Sequence, residues 1–228
     1  MKKRFLSLIH LSLISVLILM LAAGCKKKDD SPTVTDVDGN VYNTVQIGSQ
    51  VWLKQDMKTT RYRNGDDIGT TTPATKNISG EANPKYQWAY NGNESNVATY
   101  GRLYTWHAVN DSRGVCPAGW HVPSDAEWMA LVSFLGGDIE ADAKLKENSS
   151  LWDSPNEANN QSGFTARPGG WRGDYGYFDY MGENGWWWSS TGESATFAYD
   201  FRLQAGYGPV HFNASGRKDG LAIRCIKD

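Results

Sequence analysis

The sequence predicts an α+β fold, and three observations carry that prediction: a hairpin pattern beginning near Val41, a capped amphipathic helix after Ser124, and apolar alternation in the last third. Composition agrees. Ten Trp, eleven Tyr and 24 Gly beside five Met describe a turn-rich chain of loops and sheet rather than a helical bundle.

The chain opens on Lys2, Lys3 and Arg4, followed by an uncharged apolar run from Phe5 to Leu21 and by Ala22, Ala23 and Gly24 before Cys25. That is the layout of an export signal that ends at a cysteine. A spanning helix needs about 18 or more apolar residues, a limit this run only approaches, and the small-small-small-Cys ending suits a peptidase. The segment resembles a bacterial lipobox, which implies lipid on Cys25. Lys26 to Ser31 resembles the Lys/Asp-rich tract that carries Bacteroidetes lipoproteins to the outer face of the outer membrane; a solvated charged tether is the plainer reading of the same residues. Residues 1–24 are expected to be a signal peptide, 25–33 a lipidated tether, and 34–228 one folded domain.

Loss of residues 1–24 removes three of 23 basic residues and none of 25 acidic ones, leaving a balance of −5. No basic stripe remains to bind phosphate, which excludes a nucleic-acid partner. With Cys25 given to lipid, Cys116 and Cys225 are left as one pair in an oxidising compartment, where a disulfide is expected. Two buried thiols are the alternative. Without a second close Cys or His pair, they make a poor zinc site.

The elements follow in order. Val41, Tyr42, Val45 and Ile47, then Gly48-Ser49, then Val51, Trp52 and Leu53, read as a hairpin. Asp36 to Asn40 superficially matches a calcium loop, but the sixth-position Gly and the distal Glu are missing, so an Asp-Gly turn is expected. Residues 61–96 are rich in Gly, Thr, Asn and Pro and read as a long surface loop carrying Tyr86, Trp88 and Tyr90. A helix is predicted over 100–110, with Leu103, Trp106, His107 and Val109 on one stripe. Ser124 to Glu127 form a capping box, and Trp128, Leu131, Val132 and Leu135 fall at helical intervals before Gly136-Gly137. A short helical piece is predicted over 139–146. After an irregular stretch, strands are predicted over 186–190, 197–203, 210–213 and 221–225, the last with Cys225 facing inward.

Several ordered motifs identify a family resemblance. Thr35-Asp36-Val37-Asp38-Gly39-Asn40-Val41-Tyr42, Ala98 to Trp106 (ATYGRLYTW), Cys116 to Trp128 (CPAGWHVPSDAEW), Trp187 to Thr191 (WWSST) and Gly220 to Cys225 (GLAIRC) resemble the Fibrobacter succinogenes major paralogous domain. That family occurs in surface lipoproteins of Bacteroidetes and Fibrobacteres and has no well-defined biochemical role. The Pro-Ser-Asp-Ala-Glu-Trp helix start and the Gly-x-x-x-Arg-Cys ending are also similar to the formylglycine-generating branch of the C-type lectin-like fold. The resemblance implies a C-type lectin-like fold with two helices, a long irregular loop region and a C-terminal antiparallel sheet.

Fold alone does not give function. The oxidase of that branch needs a copper-binding cysteine pair and an Arg-Gly-Gly-Ser-Trp segment, whereas Arg167-Pro168-Gly169-Gly170-Trp171 differs and lies early. Gly-x-Ser-x-Gly, His-Glu-x-x-His and P-loop patterns are absent. Pro155-Asn156-Glu157 and Trp188-Ser189-Ser190 are fragments of the lectin calcium motifs, so calcium-dependent sugar binding is not implied. His107 reads as a hydrogen-bonded core residue, and Asp174, Asp179, Glu183 and Glu193 as a solvated loop rather than a glycosidase pair. No catalytic residue, metal or cofactor is assigned.

What remains is a surface. Trp171, Tyr175, Tyr177, Tyr180 and Trp187 lie among glycines with Asp174, Asp179 and Asn184 between them, the residue mix of adaptable binding surfaces. Packing of these rings onto the domain is the competing reading, strongest for Trp187 and Trp188. Trp171, Tyr175, Tyr177 and Tyr180 are therefore the candidate ligand-binding residues. The expected function is a binding or adhesion module at the cell surface, anchored in the lipid membrane through Cys25, for glycan, fibre or host protein. A diverged carbohydrate- or protein-modifying enzyme on the same fold, or a structural subunit of a surface assembly, are the alternatives.

Overall fold

The computed structural model describes residues 32–228; the signal, Cys25 and the tether through Ser31 lie outside the described residues. Strand β1 (Thr33–Thr35) pairs antiparallel with β2 (Val41–Ile47), and β2 turns at Gly48 into β3 (Gln50–Leu53). The Asp-Gly turn between β1 and β2 is closed by Asp36 itself. Its Oδ1 accepts from the backbone N–H of Asp38 at 3.0 Å and of Asn40 at 2.9 Å, and its Oδ2 accepts from the Tyr42 hydroxyl at 2.6 Å. Those oxygens are occupied by the turn, so the expected Asp-Gly turn stands where a calcium loop could have been read.

The expected helix over 100–110 is broken in two. A single turn, α1 (Val97–Tyr100), ends at Gly101, which has φ of 70° and lies so close to the chain that a Cβ would sit 2.8 Å from the Met57 carbonyl oxygen. Gly101 thus stops the helix and lets β5 (Leu103–Thr105) run in, buried on both faces, between β4 (Gln87–Trp88) and a later strand. The chain then makes α2 (Trp106–Val109). A short run buried all round carries no period that separates strand from helix, which is why the three-residue spacing of Leu103, Trp106 and Val109 misleads.

Two-residue strand β6 (Trp120–His121) precedes helix α3 (Asp125–Phe134), where the predicted capping box is present. Ser124 Oγ accepts from the Glu127 N–H, and the Ser124 N–H donates to Glu127 Oε2 at 2.7 Å. Trp128, Leu131 and Val132 face inward. Trp128 stacks on Phe201 at 4.5 Å with an interplanar angle of 8°, and Trp52 lies 4.8 Å from it. Gly137, at φ of 94°, turns the chain into α4 (Asp138–Leu145).

The stretch expected to be irregular contains a hairpin, β7 (Gly169–Arg172) and β8 (Phe178–Met181). Beyond it lie β9 (Asn184–Gly192), β10 (Phe197–Gln204), β11 (His211–Gly216) and β12 (Gly220–Leu221). They extend a second sheet in the order β11-β10-β9-β7-β12-β5-β4, with β8 beside β7. The first sheet runs β1-β2-β3-β13-β6, where β13 (Ile226–Lys227) brings the C-terminus back beside the N-terminal hairpin. The architecture is α+β, mostly sheet, with four short helices among the described residues.

The strand expected over 221–225 is not a single strand: β12 ends at Leu221, β13 begins at Ile226 in the other sheet, and residues 222–225 lie between them. The residues between bond to several elements: Trp188 N–H donates to Ala222 O, Met57 N–H to Ile223 O, and Leu53 N–H to Cys225 O. This crossing segment carries a fully buried charge. Arg224 donates through Nε to Asp56 Oδ1 at 2.7 Å and through Nη1 to three backbone carbonyls, while Trp187 Nε1 donates to the same Asp56 oxygen at 2.7 Å. Trp187 and Trp188 are both core residues, as their competing reading held.

Cys116 and Cys225 form a disulfide, with Cα atoms 6.0 Å apart and a sequence separation of 109. It ties the segment before β6 to the crossing strand. Reduction is expected to lower stability by about 2–5 kcal/mol, the usual cost for a native bridge. Urea unfolding with and without reductant checks this, and coincident curves would contradict it.

Candidate functional site

The β7–β8 hairpin presents the aromatic loop, and its tip is held in place from below. Buried Arg172 stacks over Trp88 at 4.0 Å and donates through Nε and Nη2 to the Ala74 carbonyl at 3.1 and 2.9 Å. Above it, Gly176 has φ of 98° and packs so tightly that a Cβ would lie 2.0 Å from the Thr75 carbonyl oxygen. Only glycine fits there. The Ile78 N–H donates to Asp174 O at 2.8 Å, which completes the seam between the tip and the 74–78 segment.

On this support the predicted aromatics meet. Trp171 touches Tyr177 edge-on at 5.5 Å and Trp186 at 6.1 Å, and Trp186 meets Tyr180 at 5.6 Å. Arg202 lies over Trp186 at 5.7 Å. Tyr175, Tyr177 and Tyr180 are 65%, 50% and 41% exposed, whereas Trp171 is half-buried with an indole N–H that has no partner among the described residues. Ring pairs of this kind add about 0.5–1.5 kcal/mol each beyond area burial, so the strip is a stiff surface rather than a set of loose side chains.

Trp171, Tyr175 and Tyr177 also form one wall of a cleft of about 540 Å³; Tyr180 stands outside it, beside Trp186. Tyr175 and Tyr177 reach the cleft around a turn between two strands, not by alternating along one extended segment. The rest of the lining is built from residues far away in sequence. His107 comes from α2, Asn83 from the loop before β4, Phe197 from the start of β10, and Arg217, Lys218 and Asp219 from the turn between β11 and β12.

His107 is not the hydrogen-bonded core residue expected. It is half-buried at the cleft, with its ring edge against Trp106 and no hydrogen bond among the described residues. Burial lowers its pKa, and Arg217, Lys218 and Lys85 push the same way. Of the four loop carboxylates weighed in the sequence, Asp174 alone lines this cleft.

Asp219 is the residue that sequence reasoning missed. Its Oδ1 accepts from the Asp174 N–H at 3.1 Å and its Oδ2 from the Gly216 N–H at 3.0 Å. Burial and the nearby Asp174 charge nevertheless outweigh those donors and raise its pKa to about 7. The signal available in the sequence was the charged turn Arg217-Lys218-Asp219 between two strands, but nothing local places it in a cleft with Trp171. Because the folded domain holds this proton more tightly than the unfolded chain, Asp219 costs stability as pH rises from its unfolded value through about 7. Asp219→Asn is expected to lessen the stability lost between pH 5 and pH 8. Urea midpoints for both proteins at the two pH values measure it, and an unchanged pH dependence would contradict it.

Among the described residues, no group of three or more His, Cys, Asp or Glu is arranged to hold a metal ion. No helix of the described residues is long and apolar enough to cross a membrane. The Fibrobacter succinogenes major domain family matches residues 45–227. No curated protein and no solved structure matches. The chain belongs to the Fibrobacter succinogenes major domain family.

Proposed function

We propose that this chain is a lipid-anchored binding or adhesion module on the outer face of the outer membrane, with the aromatic cleft as its ligand site. A glycan, a fibre or a host protein is its ligand, and the cleft chemistry favours a glycan. One observation carries the reading: a stiffened strip of exposed aromatic rings leads into a cleft of hydrogen-bonding side chains. Apolar faces with a few fixed polar groups are how small polar ligands are oriented. The lipobox resemblance at Cys25 supports the address, and the order of hairpin, helices, aromatic hairpin and terminal sheet supports the C-type lectin-like reading.

Tyr175→Ala with Tyr177→Ala tests the site. The double variant is expected to melt within a few degrees of the parent and to lose most of its binding in a screen of immobilised glycans. A double variant that melts early and binds normally once folded would show these rings to be core and remove the cleft from consideration. Asp219, poised near neutrality beside Asp174, favours a second reading as a carbohydrate-modifying enzyme. Product release from a bound oligosaccharide that Asp219→Asn abolishes would decide for the enzyme.

A further inference from the structure

Arg217 and Lys218 line the cleft together with His107, and both act on it as cations, as does Lys85. Lys85 is compensated, since its Nζ lies 2.7 Å from Asp111 Oδ2. Arg217 and Lys218 have no carboxylate partner among the described residues. Lys218 Nζ donates only to the Ser79 carbonyl, and Arg217 Nε only to the Phe197 carbonyl at 3.1 Å.

Arg217 is also fixed in orientation. Its guanidinium lies over the ring of buried Trp106 at 4.0 Å, and the missing side chain of Gly192 leaves it room, because a Cβ there would come within 2.5 Å of Arg217 Nη2. Stacking and one carbonyl bond thus hold the guanidinium, and Nη1 and Nη2 have no hydrogen-bond partner among the described residues. A planar cation already ordered in this way loses little entropy on pairing with a planar carboxylate.

We propose that Arg217 and Lys218 form an anion subsite and that the cleft takes an acidic glycan, whose sugar carboxylate lies against these two cations while its ring packs on Trp171, Tyr175 and Tyr177. This inference rests on the glycan reading above and narrows it. Asp174, which lines the cleft with the rings, then accepts from a sugar O–H.

The experiment uses the full chain purified in detergent and a panel of uronate- and sialate-bearing oligosaccharides, each paired with its own methyl ester. Esterification removes the charge and keeps the ring. Titration calorimetry is expected to show at least one acid bound about tenfold or more tighter than its ester, a ratio equal to about 1.4 kcal/mol, with the advantage shrinking as salt is added. Lys218→Gln and Arg217→Gln should each shrink the ratio of acid to ester affinity; the lysine variant is informative even if loss of the Trp106 stack destabilises the arginine one. Equal binding of acid and ester, both lost in the Tyr175/Tyr177 double variant, would overturn the acidic preference and leave the glycan reading standing. An acid preference that survives both charge variants would overturn the assignment to this subsite. Failure of every pair to bind would overturn the inference together with the glycan reading.

Discussion

Asp56→Ala is expected to destabilise the domain by about 3–5 kcal/mol, the cost of leaving one member of a buried ion pair alone. Asp56 is 5% and Arg224 1% exposed, and the pair is joined by the Trp187 indole N–H on the same carboxylate oxygen. Removing the carboxylate strands a guanidinium and an indole N–H together. The backbone carbonyls of Leu53, Lys54 and Phe164 still accept from Arg224, but none neutralises its charge. Asp56→Asn should lose less, because it keeps an acceptor for Trp187 while giving up the charge. Chemical denaturation of both variants measures this, and two equal losses would place the whole value of the site in the charge, with nothing from the acceptor to Trp187 or from packing.

Trp128→Ala is expected to cost about 3–5 kcal/mol as a large truncation in a closed core. Trp128 is fully buried, stacks on Phe201, and stands 4.8 Å from Trp52 and 6.0 Å from Phe164, so the void opens against rings that cannot readily collapse. Its effect should be independent of ligand. Thermal melting checks it, and a loss below about 1 kcal/mol would mean that α3 repacks onto β10.

These two positions were unequally visible in the sequence. Trp128 was legible because a capping box and an i, i+3, i+4 pattern are local signals, and α3 begins where they place it. The disulfide was legible by counting, since lipid on Cys25 leaves two cysteines in an oxidising space. Asp56 was not legible, because its partners Trp187 and Arg224 lie 131 and 168 residues away. The helix expected over 100–110 failed at Gly101, where a close approach to Asp56 and Met57 overrides a three-residue spacing. The strand expected over 221–225 failed because its residues pair with several elements instead of one neighbour.

The site divides in the same way. Aromatic and glycine alternation exposed one wall of the cleft, and three of the four candidate residues line it. Trp186, which links Trp171 to Tyr180, was passed over as an ordinary strand residue. The polar wall comes from four separated segments, and only tertiary packing brings His107, Asn83, Phe197 and the Arg217-Lys218-Asp219 turn into one cleft with the rings. Such a wall has no signature in a single sequence.

The indole resonances of the ten tryptophans test the central claim most directly, because they report from both core and cleft in one titration. With ¹⁵N-labelled protein and an oligosaccharide from the binding screen, the Trp171 and Trp186 indole N–H signals are predicted to shift saturably while those of Trp52 and Trp128 stay in place. Shifts confined to residues around α3 and β11, or saturable binding that leaves Trp171 and Trp186 unmoved, would contradict the aromatic cleft as the site of recognition.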